Sequence, residues 1–237
     1  MCFENPNNPY ELVGKEHNLG SDAIAPTPDF ENLSNEEAHN VAVQSMENNT
    51  GMELELDYET VASIYENIDQ EQPLVMSTQG LHEDNVVSDN AYEKLLQLEE
   101  MMATSENAED LGNAILEFEN TVLEESNLSE IDMKVVLGSS SIARYSLCYW
   151  MTASVDSDNP WHSFVGDEGN GLAGAETRWW WCWRKIRRIV RADIAGFQFG
   201  MRRFWVWTWR GPRIVYRSVI IGVTYSYRAI WKWWRWC

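Results

Sequence analysis

The chain has 237 residues, room for one sizeable domain or a domain with appendages, and its net charge of −19 conceals two opposite parts. Of 18 Lys and Arg residues, 14 lie in 178–237 beside a single acidic residue, Asp193, giving +13; the preceding residues set 4 basic against 36 acidic side chains, giving −32. Such asymmetry points to an acidic region joined to a membrane- or nucleic-acid-seeking segment, and excludes describing either half by one isoelectric point.

Residues 1–28 read as a polar N-terminal extension, with Pro6, Pro9, Pro26 and Pro28 interrupting any long helix and a short helix predicted from about Pro9 to His17. An acidic helical domain follows over 29–154. Ser34-Asn35-Glu36-Glu37 is a capping-box start, in which the Ser34 and Glu37 side chains satisfy each other's end amides. That helix passes Ala38, Val41, Val43 and Met46 and ends at Asn48-Asn49-Thr50-Gly51. Val61, Ile64, Tyr65 and Ile68 predict a second helix over Tyr58–Ile68, and Gln72–Asn90 reads as a loop. The apolar spacing then gives one helix through Tyr92, Leu95, Leu96, Leu98 and Met101–Met102, and the next through Leu111, Ile115, Leu116, Phe118 and Val122, with Ser105 near its start. A last helix runs from about Ser129 to Met151. Short loops and few β-branched runs predict an all-α fold that stands without the tail. Residues 155–177, rich in Asp, Ser, Asn, Pro and Gly, read as a linker.

The tail, 178–237, holds 11 of the 13 tryptophans. Ile186, Ile189, Val190, Ile194 and Phe197 share one helical face, with Arg184, Arg187, Arg188 and Arg191 on the other and Trp179, Trp180, Trp181 and Trp183 ahead of them. That is the pattern of a helix lying in a membrane interface, where the indole ring is apolar and its N–H stays hydrated. Asp193 falls on the apolar face and breaks the pattern. From Phe204 onward Trp205, Trp207 and Trp209 alternate, Gly211-Pro212 turns, and the β-branched and aromatic run Ile214–Tyr227 reads as short strands. Trp231, Trp233, Trp234 and Trp236 close the chain as further membrane-binding candidates. The longest uncharged stretch, Ser218–Tyr227, is ten residues against the roughly 20 a spanning helix needs. The partners this predicts are an anionic membrane surface and the chain's own acidic helices. Nucleic acid also suits arginine interleaved with aromatics, but the acidic region competes with phosphates.

No catalytic, cofactor or metal motif stands out, and the chain reads as non-enzymatic with no cofactor. Gly169-Asn170-Gly171-Leu172-Ala173-Gly174 fits G-x-G-x-x-G without a preceding strand and beside Asp167-Glu168, so a flexible linker is the better reading. Asp156-Ser157-Asp158 opens like a calcium loop, but Trp161 occupies the glycine position. His17, His39, His82 and His162 are scattered, as surface or core histidines are. Cys2, Cys148, Cys182 and Cys237 form no CxxC pair, which predicts free or buried thiols. Met1-Cys2-Phe3-Glu4 lacks the basic start and apolar stretch of a signal peptide, so the expectation is a cytosolic start or a leader already removed; in the second case Cys2 stands where a lipoprotein carries its lipid.

Three segments in order carry a family resemblance: Asn8-Pro9-Tyr10 with Gly14, His17-Asn18, Gly20 and Asp22; Ser139-Ser140-Ser141-Ile142-Ala143-Arg144-Tyr145-Ser146 through Tyr149-Trp150; and Ala192-Asp193-Ile194-Ala195-Gly196. Together, over about a sixth of the chain, they resemble a family of uncharacterised bacterial envelope proteins with an exported helical domain and a glycine-zipper-like, Gly/Ala-rich C-terminal tail. The resemblance implies a helical protein of the bacterial cell envelope, membrane-associated, with cytoplasmic residence as the alternative, and supplies no catalytic residues. Here Trp and Arg replace the Gly/Ala-rich tail after about Gly200. Glycine codons read one base early become Trp or Arg, so a shifted Gly-x-Gly-x-Gly run would read as Trp205-Val206-Trp207-Thr208-Trp209 does; the nucleotide sequence decides between a frameshift and a genuine Trp/Arg tail. A third reading is an acidic pro-region masking a cationic membrane-disrupting peptide, similar in arrangement to cathelicidin-type precursors but without their disulfide pattern.

Overall fold

Helix starts follow the local chemistry of the chain closely. In the computed structural model, which describes residues 4–25, 27, 30–66, 73–166, 175–205 and 212–234 (without side chains at 31, 175–182, 212 and 231–234), Ser34 caps a helix at Asn35–Thr50. The Ser34 hydroxyl accepts from the Glu37 amide at 3.2 Å and the Glu37 carboxylate accepts from the Ser34 amide at 2.7 Å. At its far end Gly51 adopts φ 65°, a left-handed conformation that costs glycine nothing, and returns its amide to Glu47. Ser88, Asn107 and Ser129 cap three further helices in the same way, Ser129 with Asp132 completing a second box.

The helices are α1 Glu11–Ile24, α2 Asn35–Thr50, α3 Tyr58–Glu66, α4 Pro73–Glu83, α5 Asp89–Thr104, α6 Ala108–Glu124, α7 Glu130–Val155, the single turn α8 His162–Val165, α9 Ala175–Trp205 and α10 Pro212–Trp234, with a short 3₁₀ turn at Phe30–Asn32. The fold is all-α, and the described residues hold ten helices and no strand. α7 is the axis: every residue from Val135 to Cys148 is buried. α1, α6 and α9 pack along it, α10 lies on α9, α1 and α2, and α4 covers another side of α9. One contiguous apolar cluster runs from Val13 to Ile230, so tail residues such as Ile186, Phe197 and Ile220 share a core with Leu95, Ile115 and Val135.

Four expectations are corrected. Part of the loop read over Gln72–Asn90 is α4, whose Leu74, Ser77, Thr78 and Leu81 are buried against the rest of the protein. Ser105 ends α5, its amide bonded to Met101, and Asn107 starts α6. The linker read over 155–177 carries α8 and the buried Trp161, which meets Phe30 edge-on at 5.1 Å between ring centroids. The short strands read after Phe204 are α10. β-branched residues favour strands only where a partner strand exists to take their backbone hydrogen bonds; a helix satisfies them internally. The hydroxyls of Ser218, Thr224 and Ser226 are satisfied in the same helical turn, donating to the carbonyls of Ile214, Ile220 and Gly222 at 2.8–3.0 Å.

Small residues bring α9 and α10 together. A Cβ on Gly196 would stand 2.7 Å from Gly222 Cα, and one on Gly200 would stand 2.6 Å from Ser218 Cα. Gly196 and Gly200 are one helical turn apart, as are Ser218 and Gly222, so the two backbones meet along a seam of missing side chains. The residues after Gly200 therefore fit the residues before it.

Candidate functional site

The basic face of α9 lies over the acidic helices. Arg187 Nη1 donates to the carbonyl of Ala103 at 2.9 Å, and Arg191 pairs with Glu99 at 3.4 Å. Arg202 pairs with Asp84 at 2.6 Å. On α10, Arg217 Nε donates to Leu54 O at 2.6 Å and Nη2 approaches Glu55 at 3.8 Å, fixing the acidic segment between α2 and α3 where Glu55 has φ 48°. Burial first, and then the neighbouring charges of Arg191, Arg184 and Arg188, lower the proton affinity of Arg187.

Of the residues the sequence nominates for membrane contact, Arg188 is exposed, while Arg184, Arg187, Arg191 and Trp205 are half-buried. Trp183 is only 3 % exposed and donates its indole N–H to Ser105 O at 3.3 Å. Trp207, Trp209 and Trp236, and the side chains of Trp179, Trp180, Trp181, Trp231, Trp233 and Trp234, lie outside the described residues, as does the Gly169–Gly174 motif. The apolar face of α9 is not turned to a membrane in this structure. Ile186, Ile189, Val190, Ile194 and Phe197 are buried in the protein, each a stabilisation of about 1.5–3 kcal/mol. Among the described residues, no helix is long and apolar enough to cross a membrane.

Parts of residues 8–22, 139–150 and 192–196 meet where α1, α7 and α9 pack together. Two polar clusters form there. In the first, Arg144 of α7 is fully buried, its Nε donating to Glu119 Oε1 at 3.0 Å and its Nη2 to Glu11 Oε2. Ser140 and Asn5 donate to the two oxygens of Glu119 at 2.7 and 2.8 Å, and Tyr145 and the Asn5 amide donate to Glu11 at 2.9 Å. Burial alone would raise the Glu11 carboxyl, but hydrogen bonds from Arg144, Asn5 and Tyr145 hold it below the usual range. Asn8 donates to Leu137 O at 3.2 Å, so Asn5–Tyr10 is strapped across α7.

The second cluster centres on Asp193, the residue that broke the amphipathic pattern. Ser146 Oγ and Trp150 Nε1 (3.1 Å) both donate to Asp193 Oδ2. His17 Nε2 faces Asp193 Oδ1 at 3.7 Å, both residues are 0 % exposed, and neither of these two atoms has a hydrogen-bond partner. Burial pushes the Asp193 carboxyl up to about 8, against the lowering by Ser146 and Trp150, and pushes the His17 imidazole down to about 4. A serine, a histidine and an aspartate thus meet, with Ser146 donating to Asp193 and not to His17, so the serine–histidine hydrogen bond of a nucleophilic triad is not formed. Sequence reasoning missed this pairing; its visible signal was an acidic side chain set among Ile189, Val190, Ile194 and Phe197.

The other histidines have ordinary surroundings. His39 is buried between Tyr65 OH at 2.9 Å and Leu56 O at 3.2 Å, and His82 lies 2.8 Å from Asp89 while stacking on Tyr92. No group of three or more potential metal ligands occurs among the described residues. Cys148, expected as a free or buried thiol, is buried but disulfide-bonded: spacing along the chain does not report distance across the fold. Comparison with protein-family models, curated proteins and solved structures finds no match.

Proposed function

We propose that this is a non-enzymatic, envelope-associated protein whose basic, tryptophan-rich tail engages an anionic membrane surface, with the acidic helices holding the tail's helices in the free chain. The observation that carries the reading is the polar face of α9, where Arg188 is exposed beside Arg184, Arg187 and Arg191 in a segment of +13. Each basic residue near an anionic surface contributes about 1 kcal/mol, and the attraction fades beyond a Debye length. The disulfide at Cys148 suits an oxidising compartment, as does the resemblance to envelope proteins. The test adds anionic or neutral vesicles to the full chain at low and high salt and follows tryptophan emission. A blue shift with anionic vesicles that salt abolishes is expected, weakened roughly tenfold or more by Arg188→Glu, a change of two charges. Equal partition into both vesicle types overturns the reading.

The pairings Arg191–Glu99, Arg202–Asp84 and Arg217–Glu55 favour a second reading, an acidic region that masks a cationic membrane-disrupting segment until cleavage. It predicts vesicle leakage by protein cut between the acidic helices and the tail, and none by the intact chain. Leakage by neither form removes it.

A further inference from the structure

α9 has two environments in which its apolar face can rest, the protein core or a lipid interface, and both remove Ile186, Ile189, Val190, Ile194 and Phe197 from water. Asp193, in the middle of that face, separates them. The core offers it two donors, from Ser146 and Trp150, and faces its remaining oxygen with His17 Nε2; lipid offers nothing comparable.

The local hydrogen bonds leave room for one proton between the two rings of partners. Asn18 donates its amide to Tyr145 O at 3.0 Å, which turns its oxygen to His17 Nδ1 at 3.4 Å. An Nδ1–H donated there leaves the lone pair of Nε2 facing Asp193 Oδ1. Both donors to Asp193 are spent on Oδ2, so Oδ1 is the free end of the carboxyl. Among the described residues, Tyr149 on α7 interacts electrostatically with Asp193 and donates to Asp22 of α1 at 2.8 Å, and the buried Tyr225 on α10 packs at Gly196, one turn from Asp193. Around Asp193 on α9 itself, the positions one turn away are Ile189, Val190, Gly196 and Phe197, none of them titratable. The buried cation Arg144, two residues from Ser146 on α7, pairs with Glu119 and Glu11.

We propose that His17 and Asp193 share one proton in the folded protein, and that this proton latches α9, and with it the tail, onto α1 and α7. Whichever of the two atoms holds the proton, the pair is net neutral and binds one proton more than the same residues do in an opened chain at neutral pH, where Asp is ionised and His is largely not. When the proton leaves to solvent, one uncompensated negative charge stays behind at the crossing of α1, α7 and α9. The sign follows: the folded state binds the extra proton, so stability falls as pH rises from about 6.5 to about 8, the point to which burial pushes Asp193, and levels off above it. Below about 6.5 the gain is offset, because His17, held near 4 when buried, charges more readily in the opened chain.

The experiment is denaturant unfolding of the full chain at closely spaced pH values from 6 to 9. In the unmodified protein the unfolding constant is expected to rise by up to tenfold per pH unit between about 6.5 and 8. Asp193→Asn, which keeps the shape and carries no proton to lose, is expected to flatten that slope. Ser146→Ala, which leaves the carboxyl in place but removes a donor to its charged form, is expected to move the slope to higher pH; this keeps the test decisive if the Asn variant does not fold. A flat profile in the unmodified protein, or one unmoved by either substitution, overturns the latch. As a control over tail release the latch rests on the membrane reading, and anionic vesicles added at pH 6.5 and 8 separate the two. Stronger partition at pH 8 supports both; a pH slope without partition at either pH refutes the membrane reading and leaves the latch standing.

Discussion

Arg144 and Ser146 lie two residues apart on α7 and serve buried polar clusters of opposite kinds. Around Arg144 the charges remain, because two carboxylates oppose the guanidinium and Ser140, Asn5 and Tyr145 donate to the carboxylate oxygens. Around Ser146 there is a carboxyl and an imidazole but no cation, and burial drives both towards their neutral forms. The lesson is that depth alone does not decide whether a buried ionisable group keeps its charge. The count of opposing charges and donors within reach does.

The comparison assumes that α7 is held from both sides, and the largest effect should come from removing one. A chain of residues 1–154 keeps Arg144 and its partners but loses α9 and α10, which exposes Ser139, Ser146 and Trp150 on the face that α9 covers. The expected outcome is no cooperative thermal transition by far-UV circular dichroism, in contrast to the full chain. A melt as sharp as that of the full chain would show that the acidic helices stand alone, as their caps and apolar stripes suggest in isolation.

Next in size is Arg144→Met, which fills the space but leaves Glu119, fully buried, without its counter-charge. Breaking a buried pair from one side costs about 3–5 kcal/mol, to be measured from the urea midpoint at pH 7. A loss below about 1 kcal/mol would mean that water reaches Glu119 and that the two clusters do not differ as described. The smallest effect is expected at the α9–α10 seam. Gly196→Ala puts a methyl 2.7 Å from Gly222 Cα and should cost about 1–3 kcal/mol, read in the same urea titration. A neutral result would place the two helices further apart than the seam requires.

By itself the sequence determined the local features whose causes lie within a few residues. The box at Ser34 and Glu37, the stop at Gly51, the start at Ser129, the apolar spacing of α5 and α6 and the all-α class are all legible, because a cap or a 3.6-residue stripe is a property of one segment. The basic amphipathic face over Arg184–Phe197 was legible too. Only the tertiary structure decided what that face covers, since an apolar stripe is complementary to lipid and to protein alike. The same limit made Ile214–Tyr227 look like strands, for β-branched residues state a preference that packing against α9 overrides. It also made Asp193 look like a flaw: its donors stand on α7, 47 and 43 residues away along the chain, and its facing imidazole on α1. Contacts across such distances leave no periodicity to read, and a buried polar group acquires its meaning only from the partners that folding brings to it.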